Sequence, residues 1–429
     1  MDEHESHPSG AKIDPKIIVA LISGLVSIVS AMLPMLSDNE RNWMLASAAI
    51  LFALVLMGIC VFILIQKKIY WGVGVLFLLV AGAVGSTFFA RHVVPAVYKL
   101  SYADATVSVY AGTGDRGFRD GSYDECTFVA PAAMSAYQDK IYVVDSDRVR
   151  CLENGEVSTE PFPSSRYNAL AVRNLEADLY VLAENRQADS GKYYNFFVRI
   201  RNGEAEPVSE MMDMGVFSAS ISDFGFSQGG VLWFIRLYNA SGTASATLQK
   251  LSYDRDADRY GPPEWVMDLP YEAADMQDAR MAFDAEDNLY ISVPVRGVIL
   301  RIGYGEQGCR IFAGVEDEHA FNDEGDIMFS YPTVLLPDGQ RLYVLDNGTV
   351  RCLTLDGEKV ESSETLAGVT PEVVLSGKMN IHNVAPGEQI TGSEMMFPPD
   401  EKGALILDSR GHLLLSDPEN SLIYQIWEN

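Results

Sequence analysis

The sequence predicts an all-β six-bladed propeller over residues 100–429, preceded by an α-helical segment of three transmembrane helices. Three observations carry this reading. Six short apolar strands recur at intervals of about 40 to 75 residues in the last three quarters of the chain. A strand without a blade, residues 106–112, stands before the first of them, and the last repeat stops one strand short. Three long runs without an Asp, Glu, Lys or Arg fill most of the first 99 residues.

The N-terminal part comes first. Residues 1–16 form a polar tail. The runs 17–36, 44–65 and 69–90 each have the length of an apolar helix that crosses a bilayer, about 20 residues. The first run makes a poor signal peptide, because Asp2, Glu3, Glu5 and Asp14 flank it and no small-residue cleavage pattern follows. Lys12, Lys16, Lys67 and Lys68 fall on one side of the spans, and Arg41, Arg91 and Lys99 on the other. That bias places the N-terminus in the cytoplasm and the propeller in the extracytoplasmic space. The third span carries Gly72, Gly74, Ala81, Gly82, Gly85 and Ser86, small residues that let helices approach closely. They suit packing within the bundle or against a membrane partner.

The charge divides at the same boundary. The chain has 429 residues, 59 acids and 32 bases, a formal net charge of −27, yet 48% hydrophobic residues. Residues 1–99 hold seven bases and six acids, so residues 100–429 carry a net −28. Such a domain is no nucleic-acid binder, since phosphate binding needs clustered bases. Its acidity favours a solvated ectodomain with basic partners, if the partners are charged.

The repeat follows residue 100. Its lines are Lys140-Ile-Tyr-Val-Val-Asp145, Asp178-Leu-Tyr-Val-Leu182, Val231-Leu-Trp-Phe-Ile235, Asn288-Leu-Tyr-Ile-Ser292, Arg341-Leu-Tyr-Val-Leu-Asp346 and His412-Leu-Leu-Leu-Ser-Asp417. Each has an apolar stretch before it and a third strand after it, as in Arg148-Val-Arg-Cys-Leu152 and Thr349-Val-Arg-Cys-Leu353. A period of that size made only of strands and Gly/Asp/Asn turns reads as a propeller of four-stranded blades. Residues 106–112 supply the missing fourth strand of the last blade and close the ring, which removes a free edge.

The motif residues resemble the NHL-repeat β-propellers. The first copy runs from Gly112 through Gly121, Phe128-Val-Ala-Pro131 and Asp145 to Arg148-Val-Arg150. Another runs from Ala313-Gly314 through Phe329-Ser-Tyr-Pro332 and Asp346 to Val350-Arg351, and the last blade keeps Asp417, Asn420 and Ile423. Residues 165–308 follow the strand pattern with few of these residues. The resemblance implies structural roles for Gly112, Gly121, Pro131, Asp145, Gly314, Pro332, Asp346 and Asp417: turns for the glycines, backbone acceptance for the aspartates. Related propellers include lyases and lactonase-like hydrolases, which makes a metal-dependent lyase or hydrolase the alternative function.

The side chains with chemistry are sparse. His319, His382 and His412 are the histidines after residue 100, and they do not repeat at matched blade positions. The expectation is therefore no catalytic residue and no cofactor, with calcium as the one possible ion. Its weak candidate ligands are Asp254, Asp256 and Asp258, which resemble the start of a calcium loop, and Asp323 and Asp326 in the acidic stretch 316–326. Arg259 stands where such a loop needs glycine, and Trp265 where it needs glutamate. Cys126, Cys151, Cys309 and Cys352 permit two disulfides or four buried thiols, and without a Cys-x-x-Cys they suggest no redox role. Residues 369–396 exceed blade spacing and read either as a binding loop or as a plain excursion. The functional expectation is a membrane-anchored, noncatalytic binding, sensing or assembly module, with a protein partner or a peptide or glycan ligand. A structural subunit of a larger membrane complex is the third reading.

Overall fold

The computed structural model describes residues 98–186, 191–215, 219–240, 243–369, 384–398 and 403–429. The three apolar runs at 17–36, 44–65 and 69–90 lie outside the described residues, as does His382. Among the described residues, no helix is long and apolar enough to cross a membrane.

The described residues form a six-bladed propeller. Blade one comprises Pro131–Tyr137, Lys140–Asp145, Arg148–Glu153 and Glu156–Thr159. Blade two comprises Asn168–Leu175, Asp178–Arg186, Tyr193–Arg201 and Glu204–Pro207, and Met212–Gly215 continues its outer edge. Blade three comprises Ala219–Phe226, Leu232–Ala240, Thr243–Leu251 and Glu264–Asp268. Blade four comprises Met281–Phe283, Leu289–Val293, Val298–Ile302 and Arg310–Ala313. Blade five comprises Pro332–Asp338, Arg341–Asp346, Thr349–Asp356 and Lys359–Ala367. In blade six, Leu405–Leu407, Leu413–Asp417 and Leu422–Glu428 are completed by Ala105–Ala111, which pairs antiparallel with the last strand (Thr106 opposite Trp427, Val107 opposite Ile426).

The core explains why these strands read as continuous apolar lines. Six buried clusters lie between successive blades. Between blades one and two, for example, Val144, Val149 and Phe162 meet Val172, Val181 and Phe196. A second strand therefore has both faces covered, and all five residues of Leu289–Val293 are buried. Such strands lose the polar alternation of a half-exposed sheet. Polar links join the inner strands: Ser292 Oγ donates to Thr333 O at 2.7 Å and Ser416 Oγ to Ala132 O at 2.6 Å.

Two segments extend the plain repeat. Residues 98–104 run along blade five before entering blade six. Tyr98–Lys99 pairs parallel with Phe321–Asn322, Tyr102 bridges Thr365, and Tyr102 Oη donates to Gly368 O at 2.9 Å. Of the long segment at 369–396, residues 370–383 lie outside the described residues. Its Gln389–Thr391 adds a fifth strand to blade six, outside Ala105–Ala111. Beyond that strand, Met395 and Phe397 are buried in the cluster between blades five and six. The insertion thus covers the edge of the strand that closes the ring.

The hairpin after the third strand of blade three reaches back to blade two. Arg199, buried in blade two, donates to Asp258 at 2.9 and 2.7 Å, and also to Glu206 and Tyr253. The Arg199 guanidinium, and next the Tyr253 hydroxyl, hold the Asp258 carboxyl well below the usual carboxylate range. A carboxylate depressed by folding stabilises above its unfolded pKa and loses that contribution as pH falls towards the folded value. The window thus begins near the ordinary value, about 4. Acidification from pH 6 to pH 3 is expected to lower the amide protection factors of residues 253–260, each taken relative to the intrinsic exchange rate at that pH, more than those of the second strands of the blades. Equal protection of the hairpin at both pH values would count against this.

Candidate functional site

A cleft of about 570 Å³ opens between blades six and one. The turns around it join first to second strands and third to fourth strands, so it lies on the face of the ring that those turns share. Blade one contributes Gln138, Asp139, Asn154 and Gly155 from its turns, blade six contributes Asp408, Ser409 and Arg410, and the closing strand contributes Tyr110. Tyr123 completes the wall beside it.

Local backbone structure fixes these groups. Tyr123 follows the short strand Gly121–Ser122, which pairs with the outer strand of blade one. Its N–H donates to Gly155 O at 3.0 Å and its carbonyl accepts Gly112 N–H at 2.8 Å. The Tyr110 and Tyr123 rings stand 5.0 Å apart at 43°. Burial raises both phenols above their ordinary value, and a hydrogen bond to Tyr110 adds to the rise at Tyr123. Both therefore stay protonated near neutral pH and keep their O–H groups as donors. Asp408 accepts the N–H groups of Arg410 and His412, both at 2.9 Å, which shapes the turn. It also holds the Arg410 guanidinium by contacts of 3.1 and 2.9 Å. Gln425 lies 2.6 Å from Nδ1 of His412, whose ring packs 5.9 Å from that of Trp427. The result is a preformed cleft with two aromatic rings and several planar polar groups. Such a lining suits an uncharged ligand with an apolar face and hydroxyl groups.

On the opposite face, side chains bind one another. Arg296 donates to Asp275 and to Asp317, each at 2.8 Å, and Tyr331 Oη donates to Asp278 at 2.9 Å. Nearer the axis, Arg173 grips Asp223 with two contacts of 3.0 Å, and Asp223 also accepts Met281 N–H.

The residues singled out by sequence fall elsewhere. Asp145 accepts Val129 and Ala130 N–H at 2.8 Å and pairs with buried Arg150 at 3.0 Å. Asp346 accepts Ser330 and Tyr331 N–H and pairs with buried Arg351 at 3.1 Å. Asp417 accepts Asn420 N–H at 2.9 Å. Pro131 and Pro332 each open an inner strand, opposite Asp145 and Asp346. Gly112 and Gly314 follow outer strands with φ of 104° and 92°, and Gly121 has φ 142°.

The weak metal candidates do not converge. Asp254 accepts the N–H groups of Asp256 and Ala257 in a turn, and Asp258 belongs to Arg199. Asp323 is buried against Arg351 and accepts Ser101 N–H and Thr365 Oγ1, while Asp326 is exposed. Among the described residues, no group of three or more His, Cys, Asp or Glu is placed to hold a metal ion. All four described cysteines are free thiols; burial pushes Cys126 up to about 11, and Cys151 and Cys352 to about 12. Sequence reasoning missed Tyr110, Tyr123, Arg410 and Gln425. Tyr110 stood within the closing strand 106–112, but nothing local pairs it with Tyr123.

No protein-family model matches the chain, and no curated protein matches it in sequence. Solved structures do resemble it. A streptogramin B lyase structure aligns with a TM-score of 0.42 at 11% identity, over 72% of this chain and 97% of that one. Regucalcin from Agrobacterium tumefaciens, titled a calcium-binding protein, gives 0.44 at 9% over 72% and 94%. The soluble aldose sugar dehydrogenase of Escherichia coli gives 0.42 at 12% over 76% and 100%. Likenesses this distant carry no activity, ligand or cofactor to this chain.

Proposed function

We propose that this chain is a membrane-anchored, extracytoplasmic propeller that binds a ligand without transforming it, and that the cleft between blades six and one receives that ligand. The ligand class is a neutral, hydroxyl-rich molecule such as a glycan. The observation that carries this reading is the Tyr110–Tyr123 pair, set in a cleft whose walls are hairpin turns and the closing strand. Aromatic faces cover the C–H side of a sugar ring, while Asn154, Gln138 and Asp139 offer planar donors and acceptors at the rim. The reactive groups elsewhere favour binding over catalysis. His319 Nδ1 lies against Ser330 O, His412 against Gln425, and Cys126, Cys151 and Cys352 are buried protonated thiols. The three apolar runs supply the anchor, and the acidity of residues 100–429 suits a solvated outer domain.

The test uses the full chain in detergent, titrated with a panel of neutral and acidic oligosaccharides. Neutral members are expected to bind, and Tyr123→Ala is expected to weaken them at least about tenfold, roughly 1.4 kcal/mol. Absence of binding across the panel, or binding that ignores Tyr123→Ala, would overturn the reading. Protease accessibility of the propeller on intact cells tests the side of the membrane; protection from added protease would place it inside.

A further inference from the structure

The outer strands of the blades are not treated alike. In blade one, Gly121–Ser122 pairs with the outer strand, and in blade six Gln389–Thr391 does so. In blade five, Ala103 N–H donates to Thr365 O and Thr365 N–H to Ser101 O, so residues 101–103 occupy the edge. In blade two the edge continues to Val208, whose carbonyl accepts Tyr260 N–H from the hairpin of blade three. Among the described residues, the blade-two strand Glu204–Pro207 itself pairs with Tyr193–Arg201 alone, and the neighbouring blades three and four lack even that hairpin link. Among the described residues, Glu264–Asp268 pairs with Thr243–Leu251 alone, and Arg310–Ala313 with Val298–Ile302 alone.

The same rim carries exposed apolar side chains. Trp265 is 63% exposed, Ile311 43% and Tyr304 77%, three of the six large hydrophobic residues exposed among those described. An unpaired strand edge beside exposed apolar groups is a template for another strand, and folded proteins blunt such edges unless they are used. Among the described residues, added segments cover the outer strands of blades one, five and six, and blade three joins a bare edge to exposed Trp265.

We propose that Glu264–Asp268 is a docking strand that accepts an extended segment of a partner protein by β-addition, with Trp265 as its apolar anchor. The occupant is a basic segment. Trp265 stands between exposed Glu264 and Asp268 on this five-residue strand, and Lys250 lies 3.6 Å from Glu264. Trp265 Nε1 donates to Asp268 at 3.2 Å. Lysines flanking an apolar residue therefore match the edge in charge, while main-chain bonds supply the pairing.

The experiment uses the full chain in detergent and three nine-residue probes: an alternating Val/Lys peptide, its Val/Glu counterpart, and the Val/Lys peptide N-methylated at every residue, which removes the donors of both its edges. The unmethylated basic peptide is expected to bind at least tenfold more tightly than the other two. Trp265→Ala is expected to weaken it at least tenfold while leaving thermal unfolding unchanged, and Tyr123→Ala, in the cleft between blades six and one, is expected to leave it untouched. No binding of the basic peptide, equal binding of the N-methylated form, or indifference to Trp265→Ala would overturn the proposal. So would self-association of the chain that Trp265→Ala abolishes, because the occupant would then be a second copy.

Discussion

Arg351→Met is expected to destabilise the propeller by about 3–5 kcal/mol, the usual cost of removing one partner from a buried ion pair. The Arg351 side chain and both of its carboxylate partners, Asp323 and Asp346, are fully buried. Its guanidinium also donates to Met328 O at 2.6 Å and Asn322 O at 2.7 Å, and lies 4.8 Å from the centre of the Phe329 ring. Methionine would fill much of the space but would leave two carboxylates and two carbonyls without that donor. The blade-one counterpart is a built-in comparison. Arg150 is equally buried, but of its two carboxylate partners only Asp145 is; Asp120 is 48% exposed and has water available. Arg150→Met is therefore expected to cost less than Arg351→Met in urea unfolding of the full chain in detergent. An equal loss for the two would show that burial of the second carboxylate does not matter. Arg351→Met combined with Asp323→Asn is expected to recover part of the loss, since one stranded charge is gone.

Gly368→Ala is expected to cost about 3 kcal/mol or more, combining backbone strain with overpacking. Gly368 has φ 100°, where a side chain is rarely tolerated, and a Cβ there would stand 2.2 Å from Gly348 O and 2.7 Å from Thr349 Cα. Both obstacles are backbone and cannot rotate away. Gly357 separates the two effects. Its φ is 60° and nothing lies within 4 Å of its added Cβ, so Gly357→Ala carries the left-handed backbone cost alone, about 1–2 kcal/mol. Thermal unfolding of the two variants side by side measures the difference; similar midpoints would refute the packing argument. Gly314, with φ 92° and Gly297 O at 2.2 Å, should behave like Gly368. Both glycines end outer strands after an alanine, as Gly112 does after Ala111. That recurrence of Ala-Gly is the packing of a blade's last residue on the start of its own third strand.

The blades were legible because their physics is local. Residues 141–145, 289–293 and 413–417 are buried on both faces, so each reads as an apolar run, and the turns between runs need Gly, Asp or Asn whatever the neighbours are. The arginines of Val-Arg-Cys-Leu were visible as letters, but their burial was not. Arg351 reaches Asp323, 28 residues earlier, and that contact turns a residue of an acidic stretch into part of a buried network. Asp258 likewise reads as one of three aspartates in a row until Arg199, 59 residues away, takes it. The insertion 369–396 was visible as excess length, while its strand Gln389–Thr391 exists only because the closing strand offers an edge.

By itself, then, the sequence determined the number and order of the blades, the strands within them and the division of charge near residue 100. Those follow from hydrophobic burial and turn chemistry over a few neighbouring residues. Only the tertiary structure decided which acids are buried partners and which are solvated, where Tyr110 meets Tyr123, and which blade edges stay bare. Each of these depends on groups far apart in the chain being brought within a few ångströms, where hydrogen bonds and ion pairs act.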